Sequence, residues 1–223
     1  MKVITSDNTP TGGVTGVILA GGQSSRMGSN KALLPYRGGR FIVAIYRQLA
    51  AICDDMLVVT NTPEQYDFLN CRMVPDIHLG MGALAGLHAG LSNSRTTHIF
   101  AVACDMPYLN STLIKALVSQ RHRSDIIIPE GEYGLEPLHA VYSRSCLPAM
   151  ETALLSGRRR LVSFFPDVQV RKIPCQELRT MDPELDSFCN INTPAEYYAL
   201  RDGERVITDA TSIVNSQQLK GCP

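Results

Sequence analysis

The chain has 223 residues, with 21 Lys+Arg against 21 Asp+Glu, 44% hydrophobic and 19% charged residues. A formal net charge of zero argues against a general nucleic-acid or membrane-surface binder, and the composition is far from the low-hydrophobicity, high-charge signature of disorder. A chain of this length is short enough to close around one core.

Taken in order, short apolar β-branched runs alternate with longer amphipathic segments, which predicts parallel strands joined by crossover helices. Val14 to Ala20 reads as a first strand. Arg40 to Ala51 reads as a helix, with Phe41, Ile45, Leu49 and Ile52 at helical spacing. Met56 to Thr60 is a second strand, and Ala83 to Ser92 is a helix rich in Ala and Gly, suited to lying close on a sheet. His98 to Ala103 is a third strand, after which Asn110 caps the next helix. Asp125 to Ile128 and Pro137 to Tyr142 read as strands, Ser143 to Leu155 as a helix ended by Gly157, and Val168 to Ile173 as an edge strand. Thr193 and Pro194 occupy the cap and first position of a last helix, Ala195 to Leu200. The expected layout is a flexible segment over 1–13, one domain over 14–201 and a polar tail over 202–223.

The seven cysteines stand at 53, 71, 104, 146, 175, 189 and 222, without a C-x-x-C pair or a histidine at zinc-finger spacing. An odd count of this kind, partly within apolar runs, predicts buried reduced thiols and a reducing cytoplasmic setting. No apolar run reaches the roughly 18 residues that cross a bilayer.

The first strand leads into Leu19-Ala20-Gly21-Gly22-Gln23-Ser24-Ser25-Arg26-Met27-Gly28-Ser29-Asn30-Lys31. Glycines allow close backbone approach, successive N–H groups form an anion-binding concavity, and Arg26 and Lys31 add full positive charge. The pattern points to phosphate, although it is neither a Walker A loop nor G-x-G-x-x-G, and an ordinary turn would use the same glycines. Asp105 follows five apolar residues, so its carboxylate emerges at the carboxyl edge of the sheet, where a metal ligand or a turn-forming aspartate would both fit. Asp76, after Pro75, could hold a ribose or base or simply cap a turn.

The loop L-A-G-G-x-S-x-R-M-G-x-x-K resembles the signature of nucleotidyltransferases with the glycosyltransferase-A-like fold, in the form nearest to the molybdenum cofactor guanylyltransferases, the MobA family. Val58-Val59-Thr60-Asn61, Pro75-Asp76 with Gly82-Ala83-Leu84-Ala85-Gly86-Leu87, Cys104-Asp105-Met106-Pro107 and Asn190-Ile191-Asn192-Thr193-Pro194 are similar to that family's blocks, in the same order. The family usually has Pro where this chain has Ala83, which predicts a freer loop there.

The resemblance implies a single α/β domain, a Rossmann-like three-layer α/β/α fold with a mostly parallel sheet. A nucleotide half would cover about 14–109 and an acceptor half about 110–201. It implies transfer of GMP from Mg·GTP to molybdopterin carrying molybdenum, with release of pyrophosphate. Arg26, Lys31 and Asp105 are the implied catalytic residues. Leu19, Ala20, Gly21, Lys31, Asn61, Asp76 and Asp105 would bind the nucleotide, with Asp105 as the Mg²⁺ ligand.

For the acceptor, His139 in Glu136-Pro137-Leu138-His139 and Arg159 in the run Arg158-Arg159-Arg160 are candidates, beside the plainer readings of a core histidine and a solvated charge run. Molybdenum-insertion or molybdoenzyme-maturation proteins are the implied protein partners. Three alternatives share the sequence features: a cytidylyltransferase for the same cofactor, a sugar-phosphate nucleotidyltransferase, and a non-catalytic carrier.

Overall fold

The computed structural model describes residues 11–21 and 30–201. In chain order the elements are β1 (Thr11–Leu19), β2 (Pro35–Tyr36), β3 (Gly39–Arg40), α1 (Phe41–Ala50), β4 (Asp55–Val59), β5 (Arg72–Val74), α2 (Ala83–Ser92) and β6 (Thr96–Ala103). They continue as α3 (Ser111–Ser119), β7 (Ile126–Gly131), β8 (Gly134–Leu135), β9 (His139–Ser143), α4 (Leu147–Leu155), β10 (Val170–Pro174), α5 (Cys175–Arg179) and α6 (Pro194–Arg201). The main sheet has the order β10-β7-β9-β6-β1-β4-β5, with β8 paired to β7. β1 runs parallel to both β4 and β6, in registers that end at Leu19↔Val59 and Leu19↔Ala103. β9 is antiparallel to β6 and β7, so the sheet is mixed, though mostly parallel.

Alternation along β1 and β6 divides the core in two. Val14, Ile18, Phe100 and Val102 face Ile42, Ile45 and Leu49 of α1 and Leu113, Ile114 and Leu117 of α3. Val17, Ile99 and Ala101 face α2 and Met150 and Ala153 of α4. Strands buried on both faces read as unbroken apolar runs, and this is why β1, β4 and β6 stand out in the sequence. The result is the expected three-layer α/β/α arrangement. Among the described residues no helix is long and apolar enough to cross a membrane. The six described cysteines are free thiols.

Several boundaries differ from expectation, each for a local reason. β1 begins at Thr11 rather than Val14, because Thr11 pairs with Thr96 across a bulge. The segment after β9 is a 3-10 turn at Arg144–Cys146 before α4 starts at Leu147, with the Ser143 hydroxyl accepting from the Ser145 amide at 3.3 Å. Pro148 falls in the first helical turn, where its missing N–H costs nothing. β9 starts at His139, since Glu136 and Pro137 form a turn closed by the His139 amide donating to the Glu136 carbonyl at 3.0 Å. The expected caps are present: Asn110 Oδ1 accepts from Thr112 and Leu113, and Thr193 Oγ1 accepts from the Glu196 amide.

α2 lies close on the sheet because of its small residues. A Cβ at Gly90 would come within 2.7 Å of Val17 Cγ1 and 3.3 Å of Val59 Cγ2. Gly90→Ala should therefore lose stability even though alanine favours a helix by about 1 kcal/mol, since overpacking costs about 1–3 kcal/mol. A net loss of about 1 kcal/mol in denaturant unfolding is expected; a gain in stability would show that α2 is not tightly seated.

Candidate functional site

β1, β4, β5 and β6 all end on one edge, and the connection from β5 to β6 crosses to the other side of β1, making the point where open α/β sheets leave a crevice. Two clusters occupy that edge. The first starts where β1 ends: the Ala20 amide donates to the Val59 carbonyl at 2.9 Å and the Cys104 amide to the Leu19 carbonyl at 3.3 Å, prolonging both ladders. The fully buried Tyr66 donates its hydroxyl to the Ala20 carbonyl at 3.3 Å. Asn30 donates to Tyr66 Oη at 2.8 Å and to Gln65 Oε1 at 2.7 Å, while its Oδ1 accepts from the Ala32 amide at 3.1 Å. Asn30 thus caps the 3-10 turn Lys31–Leu33 and aims Lys31.

Lys31 Nζ stands 3.4 Å from Asp105 Oδ2 and donates to Asn192 Oδ1 at 3.0 Å. Burial raises the Asp105 pKa above the usual carboxylate value, and the Lys31 ammonium opposes that shift. The pair is not fully enclosed, with side-chain exposures of 14% for Lys31 and 21% for Asp105. The Ile191 amide donates to the Asp105 carbonyl at 3.0 Å, so the segment before α6 is tied to the end of β6. Glu196 accepts from the Asn192 and Thr193 amides, completing a capping box with Thr193. Tyr36, Phe41, Ile191, Tyr197 and Leu200 form a small apolar cluster that holds α6 against the β2-β3 hairpin and α1.

The second cluster is Asn61 after β4 and Asp76 after β5. Asn61 Nδ2 donates to Asp76 Oδ2 at 2.9 Å, and the Asp76 amide donates to Asn61 Oδ1 at 3.0 Å. A Cβ on Gly86 would lie 3.5 Å from both Asp76 Oδ1 and Leu19 Cδ2, an ordinary contact distance, so α2 meets Leu19 and Asp76 at this position. Gly82, at φ 71° and ψ −155°, adopts a conformation that favours glycine just before α2. Ala83 is the first helical residue, the position a proline would share without altering the helix.

Lys31, Asp105, Leu19, Ala20, Gly21, Asn61 and Asp76 therefore gather on one edge, from segments up to 86 positions apart. Arg26 lies outside the described residues. His139 does not reach a surface. It is 0% exposed, set edge-on to Phe100 at 5.1 Å and Phe188 at 5.2 Å, and burial pushes its pKa down to about 3, leaving it neutral. The expectation that it contacts an acceptor is corrected: it is a core residue of β9. Arg159 is exposed beyond α4 and takes no part in the Lys31, Asp105 and Asn192 contacts, whereas Arg158 donates to the Ser163 carbonyl at 2.7 Å. The sequence reading did not single out Asn30, Tyr66 or Asn192. Asn192 lay inside the quoted Asn190-to-Pro194 block, which was its only signal.

Burial pushes the Cys104 thiol up to about 12, so it is no nucleophile beside Asp105. What the edge offers is a cation, a carboxylate beside it and a polar pair a short way along, the equipment for orienting and neutralising a polyanion rather than for covalent catalysis. These features define an α/β nucleotidyltransferase.

The family model described as "MobA-like NTP transferase domain" matches residues 16–170. The molybdenum cofactor guanylyltransferase of Desulfosudis oleivorans is 40% identical over 185 residues, covering 82% of this chain and 92% of that protein. A probable molybdenum cofactor guanylyltransferase of Pelotomaculum thermopropionicum is 34% identical over 187 residues, covering 84% and 91%. Among solved structures, the molybdopterin-guanine dinucleotide biosynthesis protein A of Archaeoglobus fulgidus superposes with a TM-score of 0.74 at 28% identity, covering 84% of this chain and 97% of that one. The chain belongs to the MobA-like NTP transferases and, within them, to the molybdenum cofactor guanylyltransferases.

Glu136, in the turn before β9, has its carboxyl pushed by burial from 4.5 to about 8. Between those values the folded state keeps a proton that the unfolded chain has released, so this group's contribution to stability is complete below the ordinary pKa and is lost as pH rises through the folded one. Thermal melts between about pH 5 and about pH 8 should fall more steeply for the wild type than for Glu136→Gln. Parallel slopes would show that Glu136 is ionised in the folded protein.

Proposed function

We propose that this protein transfers GMP from GTP to molybdopterin carrying molybdenum, releasing pyrophosphate and forming the guanine dinucleotide. Names and coverage of the relatives support the reaction, and one observation supports the site. Lys31 and Asp105, 74 positions apart, meet at 3.4 Å on the carboxyl edge of the sheet, with Asn192 on the same ammonium.

In this reading the terminal phosphate of molybdopterin is the nucleophile. One of its oxygens bonds to the α-phosphorus of GTP, and the bond from that phosphorus to the bridging oxygen of the β-phosphate breaks. Pyrophosphate leaves with the electron pair. The attacking phosphate is already anionic at neutral pH, so no protein base is needed, and the protein's work is alignment and charge neutralisation.

Lys31 neutralises charge on the phosphates, held in place by Asn192 and by the Asn30 cap. Leu19, Ala20 and Gly21 bring backbone close to them, Arg26 adds a second positive charge, and Asn61 and Asp76 hold the nucleoside. Asp105 would hold a Mg²⁺ ion. The donor set fits, because a single carboxylate kept largely from water suits an ion that completes its shell with phosphate oxygens and water. When bound, that ion supplies charge neutralisation at the transferring phosphate. Arg159 is the remaining candidate for an acceptor anion. A cytoplasmic setting, with molybdenum-insertion or molybdoenzyme-maturation proteins as partners, is part of the proposal; the free thiols, Cys146 buried and the other five described ones half-buried, are compatible with it.

Pyrophosphate release with each NTP and molybdopterin should be fastest with GTP. Lys31→Ala and Asp105→Ala should each lower turnover by about a hundredfold or more while melting near the wild type. Normal turnover in both variants would place the chemistry elsewhere, and pyrophosphate released preferentially from CTP or with sugar phosphates would change the substrates.

A further inference from the structure

Away from this edge, three metal-ligating side chains from three segments converge. His78 lies in the loop between β5 and α2, His88 on α2 and Glu151 on α4. Nε2 of His78 stands 3.0 Å, and Nε2 of His88 2.9 Å, from the same oxygen, Glu151 Oε2. All three ligand atoms lie within 4.8 Å of one another. One carboxylate oxygen can accept from both rings only if each carries its proton on Nε2. His88 Nδ1 is then buried with no partner among the described residues.

The loop around His78 reverses the usual pattern of burial. Ile77 is 54% exposed and Leu79 73% exposed, while the polar His78 between them turns inward to α2 and α4, its side chain 21% exposed. Met81 packs this loop against the core at the entry to α2, and His78 is the inward contact of the stretch before it. A tetrahedral ion with bonds of about 2.1 Å keeps its ligand atoms about 3.4 Å apart, so small movements of the three side chains would admit one. Two imidazoles and a carboxylate suit zinc-like ions and not magnesium, which prefers oxygen alone. Glu151, with its side chain 41% exposed, leaves an outward position for water.

We propose that His78, His88 and Glu151 form a binding site for one divalent transition-metal ion of the zinc class, distinct from the Asp105 site. Such an ion ties the loop that carries Asp76 to α2 and to α4, linking the nucleotide half to the acceptor half.

The test uses the full chain, stripped of metal and kept in excess Mg²⁺ so that oxygen-only sites are filled. Zn²⁺ binding is followed by calorimetry, and Co²⁺ binding by its visible absorption. The expected result is one saturable ion per chain, a cobalt spectrum of four or five nitrogen and oxygen ligands, and affinity weaker by about tenfold or more in both His78→Gln and Glu151→Gln. Asp105→Ala should bind the ion as the wild type does. His78→Gln alters only a loop side chain, so folding is not at issue, and a thermal melt without metal checks it. Absence of saturable binding, a thiolate-to-cobalt charge-transfer band, unchanged affinity in His78→Gln, or loss of binding in Asp105→Ala would each overturn the site. None of these readouts depends on guanylyl transfer, so its failure and the failure of the reaction assignment are separable.

Discussion

The parallel pairing of β1 with β6 is the constraint on which the site depends. Register Leu19↔Ala103 brings the residues that follow each strand to the same height on one edge. Lys31 stands there beside Asp105, the second residue beyond Ala103. A slip of β1 by one position would reverse its faces alone, turning Val14 and Ile18 towards α2 and Val17 towards α1 and α3 against an unchanged β6. Packing on both faces of the sheet therefore specifies the chemistry at its edge.

The same edge shows why the charges stay in place. Burial opposes ionisation of Asp105, and Lys31 opposes burial. Lys31 is held in turn by Asn192, and that segment by the Ile191 amide on the Asp105 carbonyl and by the capping box of α6. The α6 segment belongs by sequence to the far end of the chain, yet Tyr197 donates to the Pro35 carbonyl at 3.0 Å and packs near Phe41. α6 thereby packs from outside against the β2-β3 hairpin and α1.

Much of this was legible because strands buried on both faces and capped helices leave strong local signals. β1, α1, β4, α2, β6 and α6 were all expected, and the carboxyl edge followed from the apolar run before Asp105. What escaped lacks such signals. β5 is only three residues, Arg72-Met73-Val74, all partly buried, so it shows neither an apolar run nor an alternation. Asn192 is polar and far along the chain, and only the packing of α6 brings it to Lys31. His139 carries two readings in the sequence, an acceptor contact and a core histidine, and the β9 register opposite Val102 decides between them by turning it into the core between two phenylalanines.

With 14% and 21% of their side chains exposed, Lys31 and Asp105 are mostly buried, so their attraction is offset by the cost of taking both charges from water and is not what holds the fold together. The Asn30 cap, the Tyr66 hydroxyl and the Ile191 amide would hold the backbone at 30–31 and at 105 even if both charges were removed. Positioning and charge are thus supplied by different groups: amides, caps and apolar packing set the geometry, and the charges face the open edge. That separation lets a burial-penalised carboxylate remain where a phosphate-bound cation would relieve it, at little cost to the fold that carries it.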